Sequence, residues 1–158
     1  MKLKHILLAI LVVFTAFGSC KKDDFIDPQQ QLAADEVKIK EFIATNNIPA
    51  IRHESGVYYQ IIEPGTGTLV YTANTAITAN YTLRLLNGNT IPQPAGPANF
   101  VLGGVIPGWQ IGIPLIQKGG KIRLFVPSGY AYGPQGQNGI PANSILDFDI
   151  ELVNATNP

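Results

Sequence analysis

The chain has 158 residues, of which 46% are hydrophobic and 14% are charged. This length and apolar content suit one globular domain with a substantial core, and they argue against wholesale disorder. Lysine and arginine together number 11, as do aspartate and glutamate, so the chain offers no excess of positive charge for binding nucleic acid. Sixteen glycines and twelve prolines favour frequent turns and short strands.

Residues 1–19 have the pattern of a secretory signal peptide. A basic start, MKLKH, is followed by the twelve-residue apolar run ILLAILVVFTAF, which is too short for a stable membrane span. Removal of this segment takes away two lysines and leaves nine basic against eleven acidic residues, a net charge near −2. The mature protein is therefore expected to bind no nucleic acid.

Cys20 is the single cysteine, so the mature chain cannot form an intramolecular disulfide. One interpretation is an ordinary signal-peptide cysteine. The alternative that we favour is lipidation, because FGSC resembles a bacterial lipobox and follows the apolar run in the required order. The next residues, KKDD, resemble the export tag of Bacteroidetes surface lipoproteins, although such a charge run also suits a solvated tether. We expect residues 20–31 to be a lipidated tether in the cell envelope, anchored to the outer membrane and facing either the periplasm or the cell surface.

Residues 32–49 are predicted to form an amphipathic N-terminal helix and a linker. Leu32, Ile39, Phe42 and Ile43 recur at near-helical spacing, and Asn46 with Asn47 follows the last apolar residue. The helix is expected to pack on the domain; the alternative is a spacer that holds the domain away from the membrane.

Residues 50–158 are predicted to form an antiparallel sheet, because the apolar pattern changes from helical to alternating after Pro49. Strands are expected over residues 57–62, 77–85, 99–104, 121–126 and 144–153, with GNTIPQPAGPAN as a loop. One sheet face is expected to be polar and open to water, and the other to be covered by the stub GWQIGIPLI. Trp109, Ile113 and Ile116 lie on one face of that stub. The predicted fold class is α+β.

Chemistry that needs histidine, a metal or a bound phosphate has little support. His53 is the single histidine after the signal peptide, which argues against a catalytic triad and a zinc site. The glycine pairs match no phosphate-binding pattern. Asp147, Asp149 and Glu151 alternate along one strand and suit a solvated face better than a metal site. We expect no cofactor and no metal.

The remaining candidate is an apolar pocket. Tyr81, Trp109, Tyr132 and Phe148 lie on the inward face or near turns, and the long loop VPSGYAYGPQGQNGIPANS is expected to place Tyr130 and Tyr132 at its mouth. The simpler alternative is a hydrophobic core under a loop. A pocket without proton-transfer groups suits prolyl cis–trans isomerisation, whose barrier of about 20 kcal/mol comes from amide resonance.

Four segments within residues 56–153 carry a family resemblance: NYTLRLLNG, FVLGGVIPGWQIGI, KGGKIRLFVPSGYAYG and IPANSILDFDIEL. In order and spacing they resemble the FKBP-type peptidyl-prolyl cis-trans isomerases. The resemblance implies a twisted antiparallel β half-barrel wrapped around one short α-helix. It also implies a monomer that helps exported proteins fold and that binds proline-containing polypeptides and FKBP-directed macrolides.

The resemblance assigns roles to individual positions. It implies that Trp109 is the pocket floor, that Tyr81 and Phe148 are aromatic walls, and that the Tyr132 hydroxyl meets a substrate carbonyl. These four residues form the implied catalytic set. The implied substrate-binding set consists of Val105, Ile106, Ile140, Ile91 and Phe100.

Two departures from the family pattern bear on the catalytic rate. Ile91-Pro92 stands where active members usually have a phenylalanine–aspartate pair, and Ala98 stands where another aromatic wall is usual. We therefore expect reduced turnover. The alternatives are a proline-peptide-binding or chaperone module without catalysis, and a scaffold whose pocket is vestigial.

Overall fold

A computed structural model describes residues 27–137 and 139–158, and it contains one antiparallel sheet of seven strands. The strands follow the order β1-β2-β6-β7-β3-β4, and β5 pairs with β3. Their bounds are Ile51–Arg52 (β1), Tyr58–Glu63 (β2), Ala76–Leu85 (β3), Thr90–Ile91 (β4), Ala98–Val101 (β5), Lys121–Val126 (β6) and Leu146–Thr156 (β7). This sheet confirms the predicted fold class. Cys20 and the predicted signal peptide, residues 1–19, lie outside the described residues.

The N-terminal helix, α1, spans Pro28–Thr45 and so begins four residues earlier than predicted. Asp27 is the N-cap, and its side chain accepts a hydrogen bond of 3.0 Å from the backbone N–H of Gln29. Proline at the next position suits a first helical turn, because its missing N–H would have no partner there. The predicted tether to residue 31 was therefore wrong at its end. No helix in the described ranges has the length and apolar character of a membrane span.

The short helix α2, Pro107–Gly112, lies on the inner face of the sheet and continues into a 3-10 turn, Ile113–Leu115. Trp109, Ile113 and Ile116 are all buried, as their spacing predicted. The backbone of α2 packs so closely on β6 that position 112 must be glycine. An added Cβ there would lie 2.5 Å from a methyl carbon of Leu124 on β6. The sequence therefore lets the backbone of α2 approach the strand and deliver Trp109 to the centre of the half-barrel.

The outer face of the sheet is not uniformly open to water, which corrects the sequence-based expectation. Ile39 of α1 is fully buried in a second apolar cluster with Tyr58, Phe125 and Ile145. Tyr58 and Phe125 pair in register on β2 and β6 and interrupt the polar pattern of the outer face. The apolar patch formed by Tyr58 and Phe125 gives α1 a surface on which to pack, so the packing role predicted for the helix is confirmed.

Asp147, predicted to be solvated, is only 2% exposed on this outer face. Arg123 donates two hydrogen bonds of 2.9 Å to its carboxylate, and Arg84 donates a third of 3.1 Å. A buried carboxylate is tolerated when such donors satisfy it. Asp147 is thus a structural ion-pair residue.

Two strands were not predicted from the sequence, because they are too short to show periodicity. β1 contains two residues, and β4 lies inside the segment predicted to be a loop throughout. β4 forms because the Asn87-Gly88 turn folds the chain back on β3, with Leu83 opposite Ile91. That hairpin supplies one wall of the candidate site.

Candidate active site

A cavity of about 450 Å³ opens on the inner face of the sheet. All nine residues of the predicted catalytic and substrate-binding sets line it, although they come from β3, β4, β5, α2, β7 and two connecting segments. They are Tyr81, Ile91, Phe100, Val105, Ile106, Trp109, Tyr132, Ile140 and Phe148. Residues far apart in sequence thus converge on one concave surface built mostly from aliphatic and aromatic residues.

The floor of the cavity is built around the Trp109 ring. Its centroid lies 5.0 Å from Tyr81, 5.5 Å from Phe100 and 5.5 Å from Phe148, and each pair is close to edge-to-face. This geometry places the positive edge of one ring against the negative face of another. Trp109 is 3% exposed, and its Nε1 has no hydrogen-bond partner within the described part of the chain. The ring is therefore held by packing and also belongs to the core.

Strand register sets the positions of the walls. Leu83 on β3 pairs with Phe148 on β7 on one side and with Ile91 on β4 on the other. Phe100 reaches the same face from β5, where it pairs with Ile77. Because alternate residues of a strand point to the same face, Tyr81 lies beside Leu83 along β3. The aromatic and aliphatic walls thus follow from the alternation of β3 and its three partners.

The segment that enters α2 forms one rim. Ile106 is the N-cap of α2, and its carbonyl accepts a hydrogen bond of 2.9 Å from the N–H of Trp109. The Gln110 side chain donates to the Val105 carbonyl at 2.8 Å and so holds the backbone there. No acceptor in the described ranges meets the N–H of Ile106. This backbone donor remains available beside the cavity.

The opposite rim comes from the loop between β6 and β7. Tyr132 lies between two 3-10 turns, Ser128–Tyr130 and Gly133–Gln135. Ile140 is bridged to Gln137 by two backbone hydrogen bonds of 2.9 and 2.6 Å. Tyr132, Gln137 and Ile140 all line the cavity, whereas Tyr130, predicted at the loop mouth, does not.

Gln93 is a cavity residue that the sequence analysis missed. The Tyr81 hydroxyl donates a hydrogen bond of 2.7 Å to Gln93 Oε1, and Gln93 Nε2 donates to the Ile91 carbonyl at 3.3 Å. The observed register, with Leu83 opposite Ile91, continues to Tyr81 opposite Gln93. A count symmetric about a two-residue Asn87-Gly88 turn would instead have placed Gln93 opposite Thr82, so the sequence alone did not indicate this pair. Pro92, Gly104 and Leu83 also line the cavity, and Ala98 does not.

The cavity contains little that can titrate. Among its described lining residues there is no Asp, Glu, His, Lys or Arg, and the titratable ones are Tyr81 and Tyr132. Burial, together with the nearby Tyr132, raises the pKa of Tyr81 above its usual value of 10.0. Tyr81 therefore stays protonated at neutral pH. In the described ranges, no three histidine, cysteine, aspartate or glutamate side chains gather into a possible metal site. The arrangement can bind and desolvate an apolar ligand and offer hydrogen bonds to it.

Comparison with known proteins identifies relatives of the chain. Residues 69–153 match the family model described as FKBP-type peptidyl-prolyl cis-trans isomerase. The chain is 37% identical over 132 residues to FkpA, an FKBP-type peptidyl-prolyl cis-trans isomerase of Buchnera aphidicola, covering 82% of this chain and 52% of the relative. It is also 40% identical over 106 residues to FK506-binding protein 1 of Saccharomyces cerevisiae, covering 63% of this chain and 93% of the relative.

The crystal structure of FkpA from Escherichia coli superposes with a TM-score of 0.70 at 35% identity, covering 82% of this chain and 62% of that chain. The chain spans about half the length of the Buchnera relative. The family match covers more than half of the chain, including β3 to β6, most of β7, α2 and the cavity walls. The chain therefore belongs to the FKBP-type peptidyl-prolyl cis-trans isomerase family.

Proposed function

We propose that this chain is a peptidyl-prolyl cis-trans isomerase that uses the cavity over Trp109 to bind Xaa-Pro segments of exported proteins. The observation that carries the proposal is the convergence of the nine residues on one cavity whose described lining holds no carboxylate or imidazole. Rotation about a prolyl bond requires no proton transfer, so such a lining is sufficient.

In the proposed mechanism, the proline ring enters the cavity and contacts Trp109 at its floor. Tyr81, Phe148, Phe100 and Ile91 enclose it. Water stabilises the planar, charge-separated amide, so moving the amide into the cavity lowers the cost of twisting it. The aromatic residues thus act by shape and by excluding water.

Two donors are proposed to orient the substrate backbone. The N–H of Ile106 has no acceptor in the described ranges, and the Tyr132 hydroxyl lies on the opposite rim of the cavity. Hydrogen bonds from these groups to the carbonyls that flank the proline would hold one end of the peptide while the prolyl bond rotates. Val105 and Ile140 provide apolar contacts at the two rims.

Turnover is proposed to be below that of a family member with an acidic residue at position 92. Pro92 lines the cavity and offers neither a charge nor a backbone N–H. Gln93 gives Tyr81 an acceptor, but its amide is neutral and lacks the field of a carboxylate. We expect a reduction of about tenfold, equivalent to about 1.4 kcal/mol of barrier.

Exchange NMR on a short Xaa-Pro peptide tests the activity. The wild-type domain should speed the exchange between the cis and trans forms of the peptide and so broaden their resonances. Tyr132→Phe should reduce this exchange rate while the domain stays folded. Chemical-shift changes in the peptide without faster exchange would contradict catalysis. That outcome would support the alternative of a binding or chaperone module.

We further propose that the protein is held in the cell envelope by acylation of Cys20, with the domain acting as a monomer. The apolar run before Cys20 and the FGSC pattern support this, and each buried CH₂ of an acyl chain contributes about 0.8 kcal/mol to anchoring. Metabolic labelling with a palmitate analogue should mark the wild type and spare Cys20→Ala. Equal labelling of both proteins would refute the anchor. Protease treatment of intact cells would then distinguish surface from periplasmic exposure.

A further inference from the structure

Asp35 is a fully buried carboxylate in the middle of α1, outside the residues matched by the family model. Its Oδ2 accepts hydrogen bonds from the backbone N–H of Ser128 at 2.8 Å and from the Ser128 hydroxyl at 2.6 Å. Its Oδ1 accepts a bond of 2.8 Å from Gln31 Nε2. Three donors thus meet the two oxygens, which is what a buried carboxylate requires.

Ser128, also fully buried, is the first residue of the 3-10 turn that leads to the cavity loop. Its carbonyl accepts the N–H of Ala131 at 3.0 Å. Tyr132 follows directly and is the N-cap of the next 3-10 turn, Gly133–Gln135. The Gly133 carbonyl in turn accepts the N–H of Asn143 at 2.8 Å. The Asp35 carboxylate therefore holds the start of a continuous hydrogen-bonded segment that carries the Tyr132 side chain.

Attachment of α1 does not by itself account for a carboxylate at this position. Ile39, one turn further along the helix, is buried against Phe125 and Tyr58 and provides apolar packing. Burying a charge is a costly way to add stability, and an apolar side chain often serves as well. What a carboxylate adds is directional: it fixes the orientation of one N–H and one hydroxyl at the beginning of the loop.

We propose that Asp35 is a positioning residue for the isomerase cavity, acting through Ser128 to place Tyr132 on its rim. The inference rests on the proposed function, because Tyr132 is there assigned to substrate binding. If Asp35 has this role, α1, which precedes the family-matched region, helps to position a residue of the cavity.

The test uses the full mature chain with the substitutions Asp35→Asn, Ser128→Ala and both together. Asp35→Asn keeps the shape of the side chain but replaces the carboxylate with a neutral amide, so the two bonds that Ser128 donates lose their charge assistance. Ser128→Ala removes the hydroxyl only. We expect kcat/KM on a prolyl peptide to fall about tenfold in Asp35→Asn and about threefold in Ser128→Ala. The double variant should lose little more than Asp35→Asn alone, because both changes weaken the same contact.

Ile39→Val is the matched control, since it weakens the packing of α1 without touching Ser128. It should lower the melting temperature and leave kcat/KM of the folded protein unchanged. Ring resonances of the tyrosines, observed by NMR with labelled tyrosine, provide a second readout. Those of Tyr132 should shift in Asp35→Asn and Ser128→Ala and stay in place in Ile39→Val.

The inference would be overturned if Asp35→Asn and Ser128→Ala both kept kcat/KM within twofold of the wild type and left the Tyr132 resonances unmoved. An equal loss of kcat/KM in Ile39→Val would overturn it as well, because the effect would then be general packing. If Asp35→Asn fails to fold, Ser128→Ala decides by the same criteria. If the wild type does not accelerate isomerisation, the proposed function fails separately, and the Tyr132 resonances together with peptide affinity still test the positioning role.

Discussion

Replacing Trp109 should cost stability as well as ligand binding, because the ring is both cavity floor and core. Its three near-perpendicular aromatic contacts contribute about 0.5–1.5 kcal/mol each beyond area burial, so Trp109→Leu should lose about 2–4 kcal/mol from these contacts alone. A domain is typically stable by about 5–15 kcal/mol. The variant should therefore still fold, with a melting temperature lower by about 10 °C.

Trp109→Phe should be the milder change. A phenylalanine ring keeps part of the edge-to-face packing, and it removes Nε1, which is buried without a partner among the described residues. Burying an unsatisfied donor costs about 1–3 kcal/mol, and its loss offsets part of the lost packing.

Thermal unfolding followed by circular dichroism measures both variants, since the chain has no other tryptophan for fluorescence. Peptide binding is then measured by NMR at a temperature where each variant is fully folded. A melting temperature for Trp109→Leu within about 2 °C of the wild type would refute the placement of the ring in the core. A larger loss in Trp109→Phe than in Trp109→Leu would refute the account of the retained edge-to-face packing, because both variants remove Nε1.

Four further outcomes are expected. Gly112→Ala should lower the melting temperature by several degrees in a thermal scan, because its Cβ would lie 2.5 Å from a Leu124 methyl carbon. Hydrogen bonds from Arg52 lower the pKa of Glu36 below 4.5, so the stability that this carboxylate contributes is present above that pH and lost as the pH falls through the folded-state pKa. Glu36→Gln should therefore lower the melting temperature at pH 7 and flatten its acid dependence. Pro92→Asp should raise kcat/KM in an isomerase assay about tenfold, whereas Pro92→Ala should not. Wild-type kcat/KM should be constant from about pH 5.5 to 8.5, because no carboxylate or imidazole lines the described cavity.

The inner face of the site was predictable because its pattern is local. Leu146, Phe148, Ile150 and Leu152 alternate along β7, and two-residue periodicity is enough to assign them to one face. The spacing of Trp109 within its short segment likewise indicated a buried helical face. Gln93 was missed because a proline-rich segment has no periodicity, and because the observed register differs by one residue from a count symmetric about Asn87-Gly88.

The amino-acid sequence, through its alternation and its family resemblance, determined the antiparallel sheet, the short helix on its inner face and nine of the side chains that line the cavity. Only the tertiary structure decided which distant groups meet: α1 on the outer face, Asp147 between two arginines, and Asp35 on Ser128, 93 residues away in sequence. The physical reason is that alternation records which face a residue occupies. The partner of a buried polar group is set instead by the packing of whole elements, which no local pattern records.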